Sequence, residues 1–515
     1  MTAPAVTDYY TADEVRAAEA ELFTRVPAGM PMRRAAFGLA DVVARELRER
    51  TGGVAGRAVT LLVGSGDNGG DALWAGSFLR RRGVAVRAIL LSPERAHAAG
   101  LAALRRTGGR VVNAPASTDE LRPDRMPPGE FIHMYTSLDV PWPVRELLSD
   151  PDLVVDGIVG ISGRGPLRPV AAEVVAGVRC PIIAVDLPSG VDPDTGAVTG
   201  PAVTADVTVT FGAAKPVLAL AAPYCGRVEL VPIGLRLSSA SLVALEPSSI
   251  GAGWPVPGPS DDKYTQGVTG VCAGSATYPG AAVLCTGGAI AATSGMVRYA
   301  GTGAPQVLAH FPEVIAAESI SATGRVQSWV FGPGAGTDTA ARDRLAEILA
   351  TDLPVVVDAD GLTLLAADPS LVTGRAAPTV LTPHAGEFAR LTGSEPGPDR
   401  VAAVRKLAES WQVTVLLKGR ATLIASPGFP TVVNEAGGSW AATAGSGDVL
   451  SGVIAALLAH GAHPAWAAAA AARAHALAAN LAAHADTPAG APISASPLLS
   501  HLRAAIGTLR ELATT

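Results

Sequence analysis

Asp448 closes a run of small residues, Ala441-Ala442-Thr443-Ala444-Gly445-Ser446-Gly447-Asp448, and heads an apolar stretch beginning Val449-Leu450-Ser451-Gly452. That pattern predicts a tight turn feeding a helix, whose unpaired N–H groups and positive dipole end receive phosphate oxygens. A carboxylate beside phosphate is repelled unless it has a task of its own. Accepting a proton from a substrate hydroxyl, as that oxygen attacks phosphorus, is such a task. The plainer alternative is a helix-initiating acid favoured by the dipole. No G-x-x-x-x-G-K-[S/T] occurs, which excludes a P-loop NTPase.

Further candidates lie upstream, at the ends of short β-like runs. Leu417-Lys418-Gly419-Arg420-Ala421-Thr422 joins two of them, and Phe331-Gly332-Pro333-Gly334-Ala335-Gly336 is a tight backbone-approach loop. Val357-Asp358-Ala359-Asp360-Gly361 and Leu381-Thr382-Pro383-His384-Ala385-Gly386-Glu387 end two more. Asp358 and Asp360 either terminate their strand or face a ligand. A lone histidine is more often structural, but His384 falls at the same edge as the other motifs.

The first half carries a second constellation. The run Ala58–Val63 leads into Gly64-Ser65-Gly66-Asp67-Asn68-Gly69-Gly70-Asp71 and a helix opening near Ala72. Gly64-x-Gly66-x-x-Gly69 fits a dinucleotide fingerprint, yet Leu90-Leu91-Ser92-Pro93 replaces the acidic ribose partner, which disfavours a conventional dehydrogenase. Asp156 in Val154–Gly160, and Asp186 and Ser189 in Ala184–Gly190, end two further runs, and Lys215 follows a third. In a parallel sheet such ends line one crevice. Each carboxylate alone is equally well a turn cap. Asp186 is the candidate acid/base, because partial burial raises a carboxyl toward working pH.

Of 40 Lys plus Arg, only Lys215, Lys263, Lys406 and Lys418 are lysines. An exposed cation takes either residue, so lysines retained in an Arg-rich chain mark places where a compact ammonium is needed. Three of the four fall inside motifs.

The elements that must position these residues alternate strand and helix through both halves, which predicts parallel sheets covered on both faces. Strands are expected at Ala58–Val63, Val84–Leu91, Leu153–Val155, Pro181–Val185, Ala205–Phe211 and Arg227–Pro232. In the second half they are expected at Val268–Ala273, Pro305–His310, Trp329–Phe331, Pro354–Val357, Thr379–Leu381, Val413–Leu417 and Thr422–Ala425. Helical patterns run over Gly69–Arg82 and Val170–Val178. With 515 residues, 48% hydrophobic and only 4% aromatic, the chain predicts two α/β domains with Ala-, Val- and Leu-built cores. The Ser-, Pro- and Gly-rich stretch 238–262 reads as a linker between domains 1–237 and 263–515. Net charge of −6 with interspersed signs argues against nucleic-acid or membrane partners. Scattered cysteines and an acidic N-terminus without an apolar run predict a reducing, cytoplasmic setting. The apolar stretch Val449–Leu481 is broken by His460, Pro464, Arg473 and His475, so it reads as a packed helix pair.

The first-half set resembles the NAD(P)H-hydrate epimerase family of the YjeF N-terminal type, over roughly residues 10 to 235. The carrying pieces are Gly64–Asp71, Val155-Asp156 through Gly160, Val185-Asp186-Leu187-Pro188-Ser189-Gly190, and Thr210-Phe211 through Lys215. Asp67 and Ala72 depart from its loop pattern, as does Met30-Pro31-Met32-Arg33-Arg34 in the N-terminal helix. The resemblance implies a Rossmann-like three-layer domain. It implies a hydrated nicotinamide nucleotide held by Asp67, Asn68, Gly69, Gly70, Asp71, Gly160, Ile161, Ser162, Gly163, Arg164, Gly165, Asp186 and Lys215. It also implies K+ held by Asn68, Asp156 and Ser189, which suits a hard cation.

The second half, over about 260 to 505, resembles the ribokinase-like NAD(P)H-hydrate dehydratase family (YjeF C-terminal type). It begins with Asp262-Lys263-Tyr264-Thr265-Gln266-Gly267 and Gly274-Ser275 through Tyr278-Pro279-Gly280-Ala281-Ala282. Asp262 and Gly437-Gly438-Ser439-Trp440 depart from the usual pattern. The resemblance assigns Ala281, Gly334, Gly336, His384 and Asp448 to the hydrate. It assigns Lys418, Gly419, Arg420, Ala421, Thr422, Gly445, Ser446 and Gly447 to ADP or ATP with Mg2+, ADP being typical of bacterial members. Together the halves imply a cytoplasmic, homo-oligomeric repair enzyme. It would interconvert the R and S hydrates of NADH and NADPH and dehydrate the S form, with Asp186 and Asp448 as catalytic groups. The rival readings are a ribokinase-like metabolite kinase that releases a stable phosphorylated product, and a non-catalytic nucleotide-binding first half.

Overall fold

The computed structural model describes residues 4–121, 142–293 and 295–514, so the expected outer domain limits at 1 and 515 lie outside it. Contacts divide the chain into one unit of residues 8–240 and a second formed by 4–7 together with 241–514. The strands in chain order are β1 (Val6–Tyr9), β2 (Ala58–Val63), β3 (Ala85–Leu90), β4 (Arg110–Asn113), β5 (Leu153–Gly157), β6 (Ile182–Val185), β7 (Val207–Phe211), β8 (Arg227–Val231) and β9 (Leu242–Leu245). They continue as β10 (Val268–Cys272), β11 (Met296–Tyr299), β12 (Ile315–Ala316), β13 (Ser328–Phe331), β14 (Val355–Val357), β15 (Thr379–Leu381), β16 (Thr414–Leu417), β17 (Ala421–Ala425) and β18 (Thr431–Glu435).

In the first unit the order β4-β3-β2-β5-β6-β7-β8 is parallel throughout. Burial follows the two-residue period of a strand. Val59, Leu61 and Val63 of β2 join one core with Leu39, Leu47, Leu73 and Leu79 from the helices Met30–Thr51 and Asp67–Arg81. Leu62 of β2 faces the other core with Val154, Ile182, Ala184 and Val174. Both faces are covered, as an all-parallel sheet requires. Truncating a fully buried leucine such as Leu61 or Leu73 costs about 2–5 kcal/mol. The chain builds outward from β2 to β4 and returns at β5. The β2/β5 junction is therefore the topological switch point, where a crevice opens beyond the strand ends.

In the second unit β16-β15-β14-β13-β10-β11-β12 run parallel, and β17 and β18 extend the sheet antiparallel before β9 and β1. The expected helix pair forms as Ser446–Ala459 and Pro464–Ala483, almost wholly buried. A third helix, Pro279–Ala292, crosses the first of these closely: a Cβ on Gly452 would lie 2.0 Å from the Cys285 carbonyl oxygen. Small residues thus lock the helix that begins beside Asp448. Among the described residues no helix is long and apolar enough to cross a membrane.

Three expectations are corrected. Pro305–His310 is a helix, Ala304–His310, because Pro305 sits in its first turn and only Val307 is buried, so no alternating face exists to make a strand. The helix expected near Ala72 starts earlier, at Asp67, which draws Asp67–Asp71 into its first turns. The 238–262 linker contains β9 and the helix Pro247–Gly253, both part of the second unit; Leu242, Val243, Ile250 and Trp254 are buried and hold them there. Strands β4, β11 and β18 had no strong sequence signal.

Candidate active sites

In the first unit a cavity of about 1340 Å³ opens beyond β2, β5 and β6. Asp67, Asn68 and Asp71 wall it from the helix Asp67–Arg81, with Gly160, Ile161, Ser162, Gly163, Arg164 and Gly165 from the loop after β5 and Asp186 and Lys215 from the ends of β6 and β7. Gly69 and Gly70 are not in the wall. They are buried, packed against the Gly64 carbonyl and against His97 and Met32. Glu19, Arg16, Arg95 and Arg168 also line the cavity. Sequence reading missed all four, because they come from surface-like helix and loop stretches without a motif.

Asp186 follows β6 with φ of +68°, a left-handed backbone uncommon for a residue with a Cβ. Its N–H donates to the Val209 carbonyl at 2.7 Å, and its carboxylate receives the Lys215 ammonium at 2.6 Å. Lys215 is 1% exposed and spends its other protons on Thr210 Oγ1 at 2.9 Å and the Phe211 carbonyl at 3.0 Å. It holds Asp186 in place and has no donor left over for a ligand. Asp71 is buried, and its Oδ1 has no hydrogen-bond partner among the described residues. Burial, with Asp186, Asp67 and Glu19 nearby, raises its pKa well above the usual carboxylate range. Burial and Asp186 also raise that of Glu19.

Behind the wall, Asp156 is fully buried. It accepts from Ser189 Oγ at 2.8 Å, from the Ser189 N–H at 2.9 Å and from the Ile158 N–H at 3.2 Å. Burial outweighs these bonds and pushes its pKa up to about 6. Asn68 donates to the Val185 carbonyl at 2.6 Å, and a Cβ on Gly160 would lie 2.2 Å from Asn68 Oδ1. Only glycine fits there.

In the second unit the loops after β13, β14, β15 and β16 meet at one sheet edge. Lys418 reaches from β16 to Asp358 Oδ1 at 2.7 Å, and Ser451 Oγ donates to Asp358 Oδ2 at 2.7 Å. Ser451 lies three residues beyond Asp448 on the same helix, so β14, β16 and that helix are tied together. The Lys418 ammonium lies 3.2 Å from where a Gly447 Cβ would be, at the helix's first turn, and 3.9 Å from Glu387. Burial opposes its charge, but Asp358 and Glu387 overcome that and raise its pKa. For Asp448, burial comes first and Asp358 next; against the opposing pull of Lys418 they raise its pKa to about 7. Ala359, between Asp358 and Asp360, has φ of +48°, a second strained strand end.

His384 caps the helix Ala385–Thr392. Its Nδ1 accepts from the Gly386 N–H at 3.0 Å and the Glu387 N–H at 3.3 Å. The neutral ring therefore carries its proton on Nε2, and the side chain is exposed. Asp360 accepts from the Gly336 N–H at 2.9 Å, and a Cβ on Gly334 would lie 2.9 Å from that of Ala281, which brings Ala281, Gly334, Gly336 and Asp360 together. Arg420 pairs with Glu435 at 2.8 Å, and Thr422 Oγ1 donates to the Gly419 carbonyl at 2.8 Å. Ser446 Oγ donates to the Ala441 carbonyl at 2.7 Å and closes the small-residue turn. His475, buried and with its pKa pushed down to about 4 by that burial, lies 2.9 Å from the Ser446 carbonyl. No motif marks His475, a lone histidine in an Ala-rich helix.

The sequence pattern of the NAD(P)H-hydrate dehydratase family matches residues 269–499, and that of the YjeF-related protein N-terminus matches residues 29–217. The chain is 58% identical over 505 residues to the bifunctional NAD(P)H-hydrate repair enzyme Nnr of Mycobacterium leprae, covering 97% of this chain and 99% of that one. It is 60% identical over 456 residues to the protein of that name from Mycobacterium tuberculosis, covering 88% and 89%. Among solved structures, the ADP/ATP-dependent NAD(P)H-hydrate dehydratase from Bacillus subtilis is 25% identical with a TM-score of 0.46, covering 51% of this chain and 97% of that one. At that identity and coverage of the mycobacterial proteins, the chain belongs to the family of bifunctional NAD(P)H-hydrate repair enzymes.

Proposed function

We propose that the first unit interconverts the R and S hydrates of NADH and NADPH, and that the second dehydrates the S form at the expense of ADP or ATP. The observation that carries this reading is Asp448, with its raised pKa, in the first turn of a helix whose next-door Gly447 lies against the Lys418 ammonium. Helix N–H groups and Lys418 make a cradle for the transferred phosphoryl group. Asp448 takes the proton of the ring hydroxyl as that oxygen attacks phosphorus. The oxygen–phosphorus bond forms as the nucleotide's own phosphate link breaks, releasing AMP from ADP or ADP from ATP. Phosphate then leaves as the ring nitrogen's lone pair makes an iminium, and water takes a proton from the adjoining ring carbon, whose C–H electron pair becomes the ring double bond and restores the dihydropyridine. Mg2+ would accompany the nucleotide and screen its phosphate charge. Ser451 and Asp358 keep Lys418 aimed, and His475 steadies the turn through Ser446.

In the first unit, the cavity's carboxyl groups supply acid and base at the hydrated carbon, and its arginines suit the pyrophosphate. Potassium fits behind the wall. Asp156 is a buried carboxylate without a cationic partner among the described residues, Ser189 brings a neutral oxygen against it, and the Asn68 amide oxygen lies against Gly160 in the loop that follows β5. When bound, the ion supplies the positive charge that keeps Asp156 ionised and the loops at Gly160 and Ser189 fixed. A cytoplasmic homo-oligomer is the form that the resemblance implies.

Incubation of the full chain with mixed-epimer NADH hydrate and ADP tests this reading, and ATP serves as the second nucleotide. Complete return of NADH is expected. Return of one epimer alone would refute the epimerase half, and a stable phosphorylated product would refute the dehydratase half.

A further inference from the structure

Epimerisation needs one group to give a proton and another to take one, and the two buried carboxyl groups of the first unit's cavity differ in their partners. Asp186 has Lys215 at 2.6 Å. Asp71 has no counter-ion among the described residues. It is 6% exposed, its Oδ1 is without a hydrogen-bond partner among the described residues, and it walls the same cavity. The charged groups facing Asp71 are carboxylates from three elements: Asp67 on its own helix, Asp186 after β6 and Glu19 on the helix Ala12–Arg25. The nearby cation Lys215 is fully engaged by Asp186, Thr210 and Phe211. Arg16 pairs with Asp13 at 2.6 Å and donates to the Ile161 carbonyl. For folding alone, an unpartnered buried acid is a poor choice, since an amide or an apolar group would fill the place at lower cost.

We propose that Asp71 is the proton donor of the epimerisation and Asp186 the proton acceptor, acting together to open and reclose the hydrated ring. The inference rests on the epimerase reading above and assigns the two roles within it. Water adding to an enamine places the hydroxyl on the carbon bonded to the ring nitrogen. Asp186 takes the hydroxyl proton, and the O–H electron pair becomes the second bond of an aldehyde. The carbon–nitrogen bond breaks, its electron pair stays on nitrogen, and nitrogen receives the Asp71 proton. Rotation about the adjoining carbon–carbon bond presents the aldehyde's other face. Nitrogen then attacks the aldehyde carbon, returning its proton to Asp71 while Asp186 returns its own to oxygen. Nothing is gained or lost, and both carboxyl groups end as they began, so one pair serves both directions.

The test is D71N in the full chain, with hydrate labelled by ¹⁸O at the ring hydroxyl. Interconversion should fall about a hundredfold or more, with dehydration of the accepted epimer unchanged and binding of the hydrate to the first unit retained. In wild type the label should stay in the product, and the rate should fall on the alkaline side as Asp71 loses its proton, a limb absent from the residual D71N rate. Thermal melting gives an independent readout. A carboxyl whose folded pKa is raised holds more protons folded than unfolded, so its contribution to stability declines as pH rises. D71N should therefore melt higher than wild type, by a margin that grows from acid toward alkaline pH. Near-normal interconversion by D71N, loss of the label at each turnover, or a D71N that melts earlier and no longer binds the hydrate would each overturn the assignment. A wild type that does not interconvert the epimers would instead refute the epimerase reading itself.

Discussion

Titrating Asp448 tests the dehydratase chemistry most directly. On the proposed mechanism the group accepts a proton and must be ionised, and burial with Asp358 nearby lifts its pKa to about 7. A single group titrating there is about 10% ionised one pH unit below and about 90% ionised one unit above, so kcat/KM should rise about tenfold between roughly pH 6 and pH 8. An ordinary aspartate, at about 3.9, would leave the same window flat. Lys418→Met removes the neighbour that pulls the value down, so its acid limb should move to higher pH. Asp448→Asn should abolish the limb and lower turnover by about 10²–10⁴-fold. The assay is the absorbance of restored dihydropyridine with the S epimer and saturating nucleotide, over a range of buffers. A flat profile in wild type, or Asp448→Asn within a few-fold of it, would refute the proton-acceptor role.

Lys215→Met leaves Asp186 buried without its cation, which should cost about 3–5 kcal/mol and abolish epimerisation, seen as an earlier melting transition and loss of interconversion. Gly447→Ala puts a methyl group 3.2 Å from the Lys418 ammonium, so nucleotide KM should rise with little change in hydrate binding; an unchanged KM would contradict the phosphate cradle. Potassium should raise the melting temperature of wild type relative to tetramethylammonium, and Ser189→Ala should lose most of that gain because the site loses the hydroxyl oxygen, 2.8 Å from Asp156, that would help hold the ion. Equal melting of wild type in both salts would argue against the ion.

Most parallel strands were legible because a sheet covered on both faces needs continuous β-branched and aliphatic runs, such as Ala-Val-Thr-Leu-Leu-Val at 58–63. Edge and short strands were not: Arg110–Asn113 carries no fully buried residue, so it has no hydrophobic pattern to read. Pro305–His310 misled because a short apolar run has no period long enough to separate strand from helix. The candidate site residues were legible where glycine and acid coincide at a strand end, as at Asp186 and Asp358. Lys215 was visible as a rare lysine, but its engagement with Asp186 is a matter of distance. Glu19 and His475 reach their sites only through packing between elements remote in sequence, which composition and spacing do not encode.

Residues 4–7 group with 241–514, although the whole of 8–240 intervenes. Ala5 exchanges hydrogen bonds with this later stretch, accepting from the Glu246 N–H at 3.0 Å and donating to Ser249 Oγ at 2.7 Å. The epimerase is therefore spliced into the dehydratase between its outermost strand and the remainder, rather than appended to its front. On the ribosome that strand emerges well before its partner, which is made hundreds of residues later, a closure that slows assembly. An investigator who excises the dehydratase by starting at residue 241 removes β1 and bares the backbone of β9, a template for unwanted strand pairing. Supplying residues 4–9 ahead of 241 through a short flexible link returns β1 to that edge.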